Sequence, residues 1–252
     1  MIGSPLHHLA HPSWKKLYLK IFGVPHLSSH IKAAAVSALL KNQHPIEVLD
    51  AGCGSGLYSV WLAQRLPGCT ILGIDEAGQA FQQMSNLLAL TGVKNLCFEQ
   101  KDLRHLAYQK HFDLIVCLDV LEHVQEDGLV ICRLRDALKT EGWMIIHVPR
   151  RHQEQFRAFG SWVQWTDHGH VRDEYTRDEI ITIIQGAGLQ ILSFQTTFRP
   201  AQAPFWEISK KIPPDSGLNW LLFPFLLGAS RLGGFLESEN GNGFLIVCQR
   251  KG

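Results

Sequence analysis

The chain has 252 residues, a formal net charge of +1, 46% hydrophobic and 19% charged residues. That composition fits a folded globular domain with a sizeable core, and it excludes a collagenous, disordered or strongly basic chain. No block of like charge asks for nucleic acid as a partner. Six cysteines without a CxxC pair read as reduced thiols of a cytoplasmic protein, not as a zinc site or a disulfide framework.

Met1 to Pro12 lacks the apolar core of a signal peptide. His7, His8 and His11 cluster there and are expected to be solvated. Trp14, Leu17, Tyr18, Ile21 and Phe22 recur at helical spacing with Lys15, Lys16 and Lys20 between them, and a second helix is expected over Ile31 to Leu40. Residues 1–45 therefore form a helical cap ahead of the main domain, 46–252.

From Glu47 onward strands and helices alternate. Val48-Leu49-Asp50 is a strand that runs into Ala51-Gly52-Cys53-Gly54-Ser55-Gly56, and a helix follows to Pro67-Gly68. A strand, glycine turn and helix make the nucleotide-cradling corner of a doubly wound sheet. The dinucleotide fingerprint wants two residues between its second and third glycines; here there is one, and Leu57 stands where that glycine would be. Asp50, at the carboxyl end of the strand, would repel a pyrophosphate and suits a ligand with a positive group.

Thr70–Asp75 is the second strand, and a helix is expected over Ala77 to Gly92. Leu96–Gln100 and Phe112–Leu118 are the third and fourth strands, the latter continuously apolar as a doubly covered strand should be. Val130, Leu134, Ala137 and Leu138 mark a helix. Trp143–Val148 is the fifth strand. Thr176 and Glu179 form a capping box before Ile180, Ile183 and Ile184. Gln190–Thr197 and Phe244–Gln249 are the last strands. The expected fold is α/β, a three-layer α/β/α sandwich on a seven-stranded, mostly parallel doubly wound sheet whose last strand is antiparallel. Segments 150–175 and 199–241 are longer than ordinary loops and rich in aromatics, so they read as functional insertions. Phe156, Phe159, Trp162 and Trp165 make one helical stripe in the first.

Asp50-Ala51-Gly52-Cys53-Gly54-Ser55-Gly56 resembles the first motif of the class I S-adenosylmethionine (SAM)-dependent methyltransferases. Leu118-Asp119-Val120-Leu121-Glu122-His123-Val124 resembles the fourth-strand motif of their small-molecule branch, and Lys139 to Met144 resembles the turn before the fifth strand. The chain lacks the Asn/Asp-Pro-Pro-Tyr motif of base and protein N-methylating relatives. The resemblance implies SAM as cofactor. It implies binding by Asp50, Gly52, Gly54, Gly56 and Glu76, by Asp75 at the ribose, by Asp102 and Leu103 at the adenine, and by Asp119 and Val120. It implies O- or C-methylation of a small-molecule or lipid-like acceptor. Alternatives are a nucleotide-binding oxidoreductase, which Asp50 and the missing glycine disfavour, and a non-catalytic SAM-binding adaptor.

His123, His147, His168 and His170 are candidate bases, and His123 and His170 lead because both should lie near the carboxyl edge of the sheet. Asp119, Glu122 and His123 with His168 or His170 are also similar to metal-assisted relatives, but the Glu-His pair recurs in metal-free ones and no metal is assigned. The run Leu218 to Gly228 is too short to span a bilayer and is interrupted by Pro224. It is expected either to pack on the domain or across a dimer interface, or to form a lid, with residues 217–235 touching a membrane face and Lys210, Lys211 and Arg231 toward headgroups.

Overall fold

Seven strands form one sheet in the order β3-β2-β1-β4-β5-β7-β6 in a computed structural model, which describes residues 1–3, 12–41, 43–76, 88, 92–151, 157–159, 171 and 174–250. The strands are β1 Glu47–Ala51, β2 Thr70–Asp75, β3 Leu96–Gln100, β4 Phe112–Leu118, β5 Leu138–Pro149, β6 Leu189–Thr197 and β7 Gly243–Arg250. β7 runs antiparallel to both neighbours, and the other pairings are parallel. The order reverses between β1 and β4, which opens a crevice at their carboxyl ends, where such sheets bind ligands.

The helices are α1 Ser13–Phe22, α2 Leu27–Leu39, α3 Leu57–Arg65, α4 Asp127–Ala137, α5 Arg177–Gly186, α6 Ala203–Lys211 and α7 Gly217–Gly233. On one face of the sheet Val130, Ile131 and Leu134 of α4 and Ile180 and Ile184 of α5 pack on Ile115, Cys117 and Ile146. On the other, Ala33 and Val36 of α2 and Val60 and Leu62 of α3 cover Val48, Val116 and Ile145. The capping box is formed: Thr176 accepts from the Glu179 amide, and Glu179 accepts from the Thr176 amide. The helix expected over Ala77 to Gly92 lies almost wholly outside the described residues.

Several bounds differ from the sequence expectation: the second helix begins at Leu27, ahead of Ile31, the last two strands shift by a residue at their ends, and two further differences have a clear physical reason. Leu138 leaves the helix and starts β5, because it pairs with Phe112; a register shift follows, and Leu114 then pairs with Trp143. Pro224, expected to interrupt the apolar run, sits inside α7 without ending it. A helical proline costs about 3 kcal/mol. Burial of Phe223, Leu226 and Leu227 on one side of α7 offsets this at about 1.5–3 kcal/mol each.

The cap is built from both ends of the chain. Leu27 and Ile31 of α2 pack with Phe198, Trp206, Phe223, Leu226 and Leu227 in a third core, with Tyr18 and Phe22 of α1 against it. Polar ties fix the assembly: the Trp206 indole donates to Ser28 Oγ at 2.9 Å, and Asn219 Nδ2 donates to the Pro25 carbonyl at 2.9 Å. The apolar run is thus half core, and the helix that carries it has a second face turned outward. Among the described residues no helix is long and apolar enough to cross a membrane.

Candidate active site

The glycine turn is shaped by what lies above it. Gly52 has φ +74, and a Cβ there would sit 2.3 Å from Val120 Cγ2, so only glycine lets the β1–α3 loop close on the segment after β4. Gly54 has φ +52 with open space where its side chain would be, and its amide donates to Asp75 Oδ2 at 2.8 Å. Gly56, also left-handed, is the N-cap of α3. Asp50 lies beneath this loop. It is 2% exposed, accepts a 2.5 Å hydrogen bond from Ser59 Oγ, and ties the end of β1 to α3. Burial raises its carboxyl to about 6.

A cavity of about 460 Å³ opens at the sheet's carboxyl edge, a size typical of small-molecule sites. Gly52, Gly54, Asp75, Glu76, Asp102, Leu103, Asp119, Val120 and His123 line it, with Lys101, Arg104, Val124, Gln125 and Val171. Nine of the residues singled out in the sequence are therefore brought together, while Asp50 and Gly56 support the loop from behind. His168 and His170 lie outside the described residues, as do Phe156, Trp162 and Trp165. Asp102 caps the short turn Leu103–His105 and is clasped by Arg104, with Nε 2.9 Å from Oδ2. The guanidinium holds the Asp102 carboxyl down at about 2.

Asp119 is the centre of a polar chain that sequence reading only partly anticipated. It has φ +54, a conformation costing an ordinary side chain roughly 1–2 kcal/mol. Its carboxylate is bound by the ammonium of Lys32 from α2 and by Nδ1 of His147 from β5, and His147 Nε2 is 2.7 Å from Thr197 Oγ1. Burial disfavours both charges, but their mutual attraction wins: Asp119 is held well below the usual carboxylate range and Lys32 above the usual lysine range. His147 was among the candidate bases; both its ring nitrogens are engaged within this chain. Tyr58 of α3 faces Lys32, whose Nζ is 5.7 Å from the ring centre. Lys32, Tyr58 and Thr197 were missed. The signal for Lys32 was present: a single charge inside the apolar stretch Ile31 to Val36.

Glu122 is 1% exposed, and its Oε2 has no hydrogen-bond partner. Burial, and then the Asp119 carboxylate, push its carboxyl well above the ordinary value. Among the described residues no three His, Cys, Asp or Glu side chains group in a way that would hold a metal ion. For a raised carboxyl, stabilisation by the bound proton is full below the unfolded pKa of about 4.3 and is lost as pH rises toward the folded value. Glu122→Gln keeps the shape and removes the titration. The variant should therefore fold normally and lose part of the wild-type decline in stability above that pH; an unchanged pH–stability curve in urea melts would show that Glu122 is ionised when folded.

Residues 26–193 match the methyltransferase domain family, and the chain belongs to it. It is a class I SAM-dependent methyltransferase, and its cofactor is S-adenosylmethionine. It is 35% identical over 187 residues to the ubiquinone biosynthesis O-methyltransferase of Idiomarina loihiensis, covering 70% of this chain and 73% of that one. It is 32% identical over 123 residues to the trans-aconitate 2-methyltransferase of Deinococcus radiodurans, a match spanning 48% of this chain but only 44% of that protein. An S-adenosylmethionine-dependent methyltransferase from Mesorhizobium loti superimposes with a TM-score of 0.61 at 18% identity, over 89% of this chain and all of that one. At that identity the likeness speaks for the fold alone.

Proposed function

We propose that the chain transfers the methyl group of SAM to an oxygen of a small, partly apolar acceptor, and that its cap rests on a membrane surface while it does so. The cavity suits the cofactor: its volume is adequate, Gly54 leaves a side chain's space open, and an acidic residue ends β2. Asp75 would receive the ribose hydroxyls with Glu76 beside it. Asp102 and the Leu103 amide would meet the adenine edge. Gly52, Gly54, Asp119 and Val120 would surround the methionine end, with Asp50 and Gly56 fixing the loop. When bound, the cofactor supplies a methyl group already activated by its sulfonium.

The remaining task of the protein is alignment, which can supply about 7–11 kcal/mol. A positioned base adds roughly 10²–10⁴-fold for a hydroxyl nucleophile. His123, on the cavity wall, is the proposed base; His170 keeps that role as a proposal from the sequence. The names of the relatives, ubiquinone biosynthesis O-methyltransferase above all, support oxygen as the atom methylated.

The observation that carries the membrane reading is the outward side of the cap. Leu221 of α7 is 74% exposed, and beyond the helix Phe235 is 81% exposed. Leu218, Phe225 and Leu232 continue the α7 stripe, and Trp14, Leu17 and Ile21 form a second stripe on α1. The two helices touch: Trp14 and Trp220 meet edge-on with ring centres 5.8 Å apart. Lys16 and Lys20 on α1 and Arg231 on α7 are exposed beside the stripes. Apolar side chains flanked by basic ones suit an anionic bilayer interface. In flotation with vesicles containing phosphatidylglycerol, the wild type should rise with the lipid. Leu221→Glu with Phe225→Glu should stay in the soluble fraction with SAM affinity unchanged. Equal flotation of the two proteins would remove the membrane part of the proposal.

A further inference from the structure

A second cavity, of about 470 Å³, lies at the edge of the sheet where β6 is the end strand. It shares no lining residue with the SAM cavity. Phe194 and Thr196 come from β6 and Arg177 from the first turn of α5. Arg199 comes from the link to α6, and Glu237 and Glu239 from the link between α7 and β7.

The parts of this cavity are tied to one another. Arg177 lies over the Phe194 ring, 4.6 Å from its centre, and Phe194 packs on Phe244 of β7 at 5.1 Å. Thr196 Oγ1 donates to the Ser238 carbonyl at 2.5 Å, and a Cβ on Gly241 would sit 2.4 Å from the Thr197 carbonyl oxygen, so this link is drawn tightly against β6. Arg199 donates to the Gly234 carbonyl at 3.0 Å and so holds the turn that carries Phe235 and Leu236, 81% and 64% exposed.

Two guanidiniums and two carboxylates thus line one cavity. Among the described residues none of the four forms an ion pair with another side chain. A ligand that carries both an anion and a cation satisfies both pairs. Arginine matches a phosphate with paired N–H donors. The carboxylates suit a primary ammonium, which has hydrogens to donate. A quaternary ammonium has none and needs an open aromatic face, and Arg177 already covers the Phe194 ring. Phe235 and Leu236, directly before Glu237 in the chain, suit the acyl region next to such a headgroup.

We propose that this cavity binds the phosphoethanolamine headgroup of a membrane lipid, with the phosphate at Arg177 and Arg199, the ammonium at Glu237 and Glu239, and Phe235 and Leu236 in the bilayer beside it. This rests on the membrane part of the function proposed above and gives it a lipid preference.

The full-length protein is floated with two sets of vesicles of equal phosphatidylglycerol content, the remainder being phosphatidylethanolamine in one and phosphatidylcholine in the other. Wild type should bind the ethanolamine set about 10-fold more tightly. Arg177→Gln, and Glu237→Gln together with Glu239→Gln, should each lose that preference and keep wild-type affinity for S-adenosylhomocysteine (SAH). The ratio between the two sets is read, because each variant changes the net charge. The three side chains are exposed, so the variants should fold. Equal binding of wild type to the two sets would overturn the headgroup site and leave the membrane reading standing. A preference that survives in either variant would also overturn it; survival in both would assign the preference to lipid packing. Wild type that floats with neither set would strike the membrane reading, and the headgroup site with it. Soluble glycerophosphoethanolamine should compete only weakly with the vesicles; equal affinity would make the cavity a site for the free phosphoamine and overturn the lipid assignment.

Discussion

Replacing Asp119 by Ala should cost about 3 kcal/mol of stability, the largest effect expected of a single change in this site. Removing one partner of a buried ion pair leaves the other charge without compensation, at about 3–5 kcal/mol. The lower end applies because the Asp119 side chain is 31% exposed, whereas Lys32 is 11% and His147 2% exposed. Alanine also tolerates the left-handed backbone at this position less well than aspartate does. For a chain of this length the loss corresponds to roughly 6–12 °C in Tm. Asp119→Asn retains the shape and one acceptor oxygen and should fall between the two. A melting temperature within a degree or two of wild type for Asp119→Ala would mean that Lys32 and His147 are stabilised without it.

Replacing Asp75 by Ala should weaken SAM and SAH by about 1.5–3 kcal/mol, roughly 10–150-fold, with the fold intact. Two consequences add. The proposed hydrogen bonds to the ribose vanish, and the Gly54 amide loses its 2.8 Å acceptor, so a loop already in left-handed backbone loses the contact that orders it. Asp75→Asn keeps a neutral acceptor for Gly54 and should lose less. Equal affinity of Asp75→Ala and wild type in calorimetry would place the ribose acid elsewhere.

The sheet was legible because parallel strands covered on both faces read as unbroken apolar runs with sharp ends. Phe112–Leu118 matches the observed strand residue for residue, and so does the edge strand Leu96–Gln100, although its far end is polar and largely uncovered. Leu138 was misjudged because it continues the helical spacing of Val130 and Leu134; only its pairing with Phe112 assigns it to β5. The glycine turn and Asp75 were legible because left-handed backbone and a strand-end carboxylate leave residue-type signatures. The cap was legible only in part. Its helices come from both ends of the chain, and spacing along a sequence carries no sign that Leu27 and Phe223 share a core. The Lys32–Asp119 pair was invisible for the same reason: its partners are 87 positions apart. Asp50 shows that position along a chain does not give a side chain's direction. Its position beside the glycines suggested direct contact with the ligand's positive group, yet its carboxylate is turned to Ser59 and buried.

The cavity at the β1–β4 crevice is the proposed SAM site. Calorimetric titration of the purified protein with SAM, SAH and NAD(H) tests it most directly. SAM and SAH should bind with Kd in the micromolar range, weakened together by Asp75→Ala, with no measurable binding of NAD(H). Binding of NAD(H) with none of SAM or SAH would contradict it.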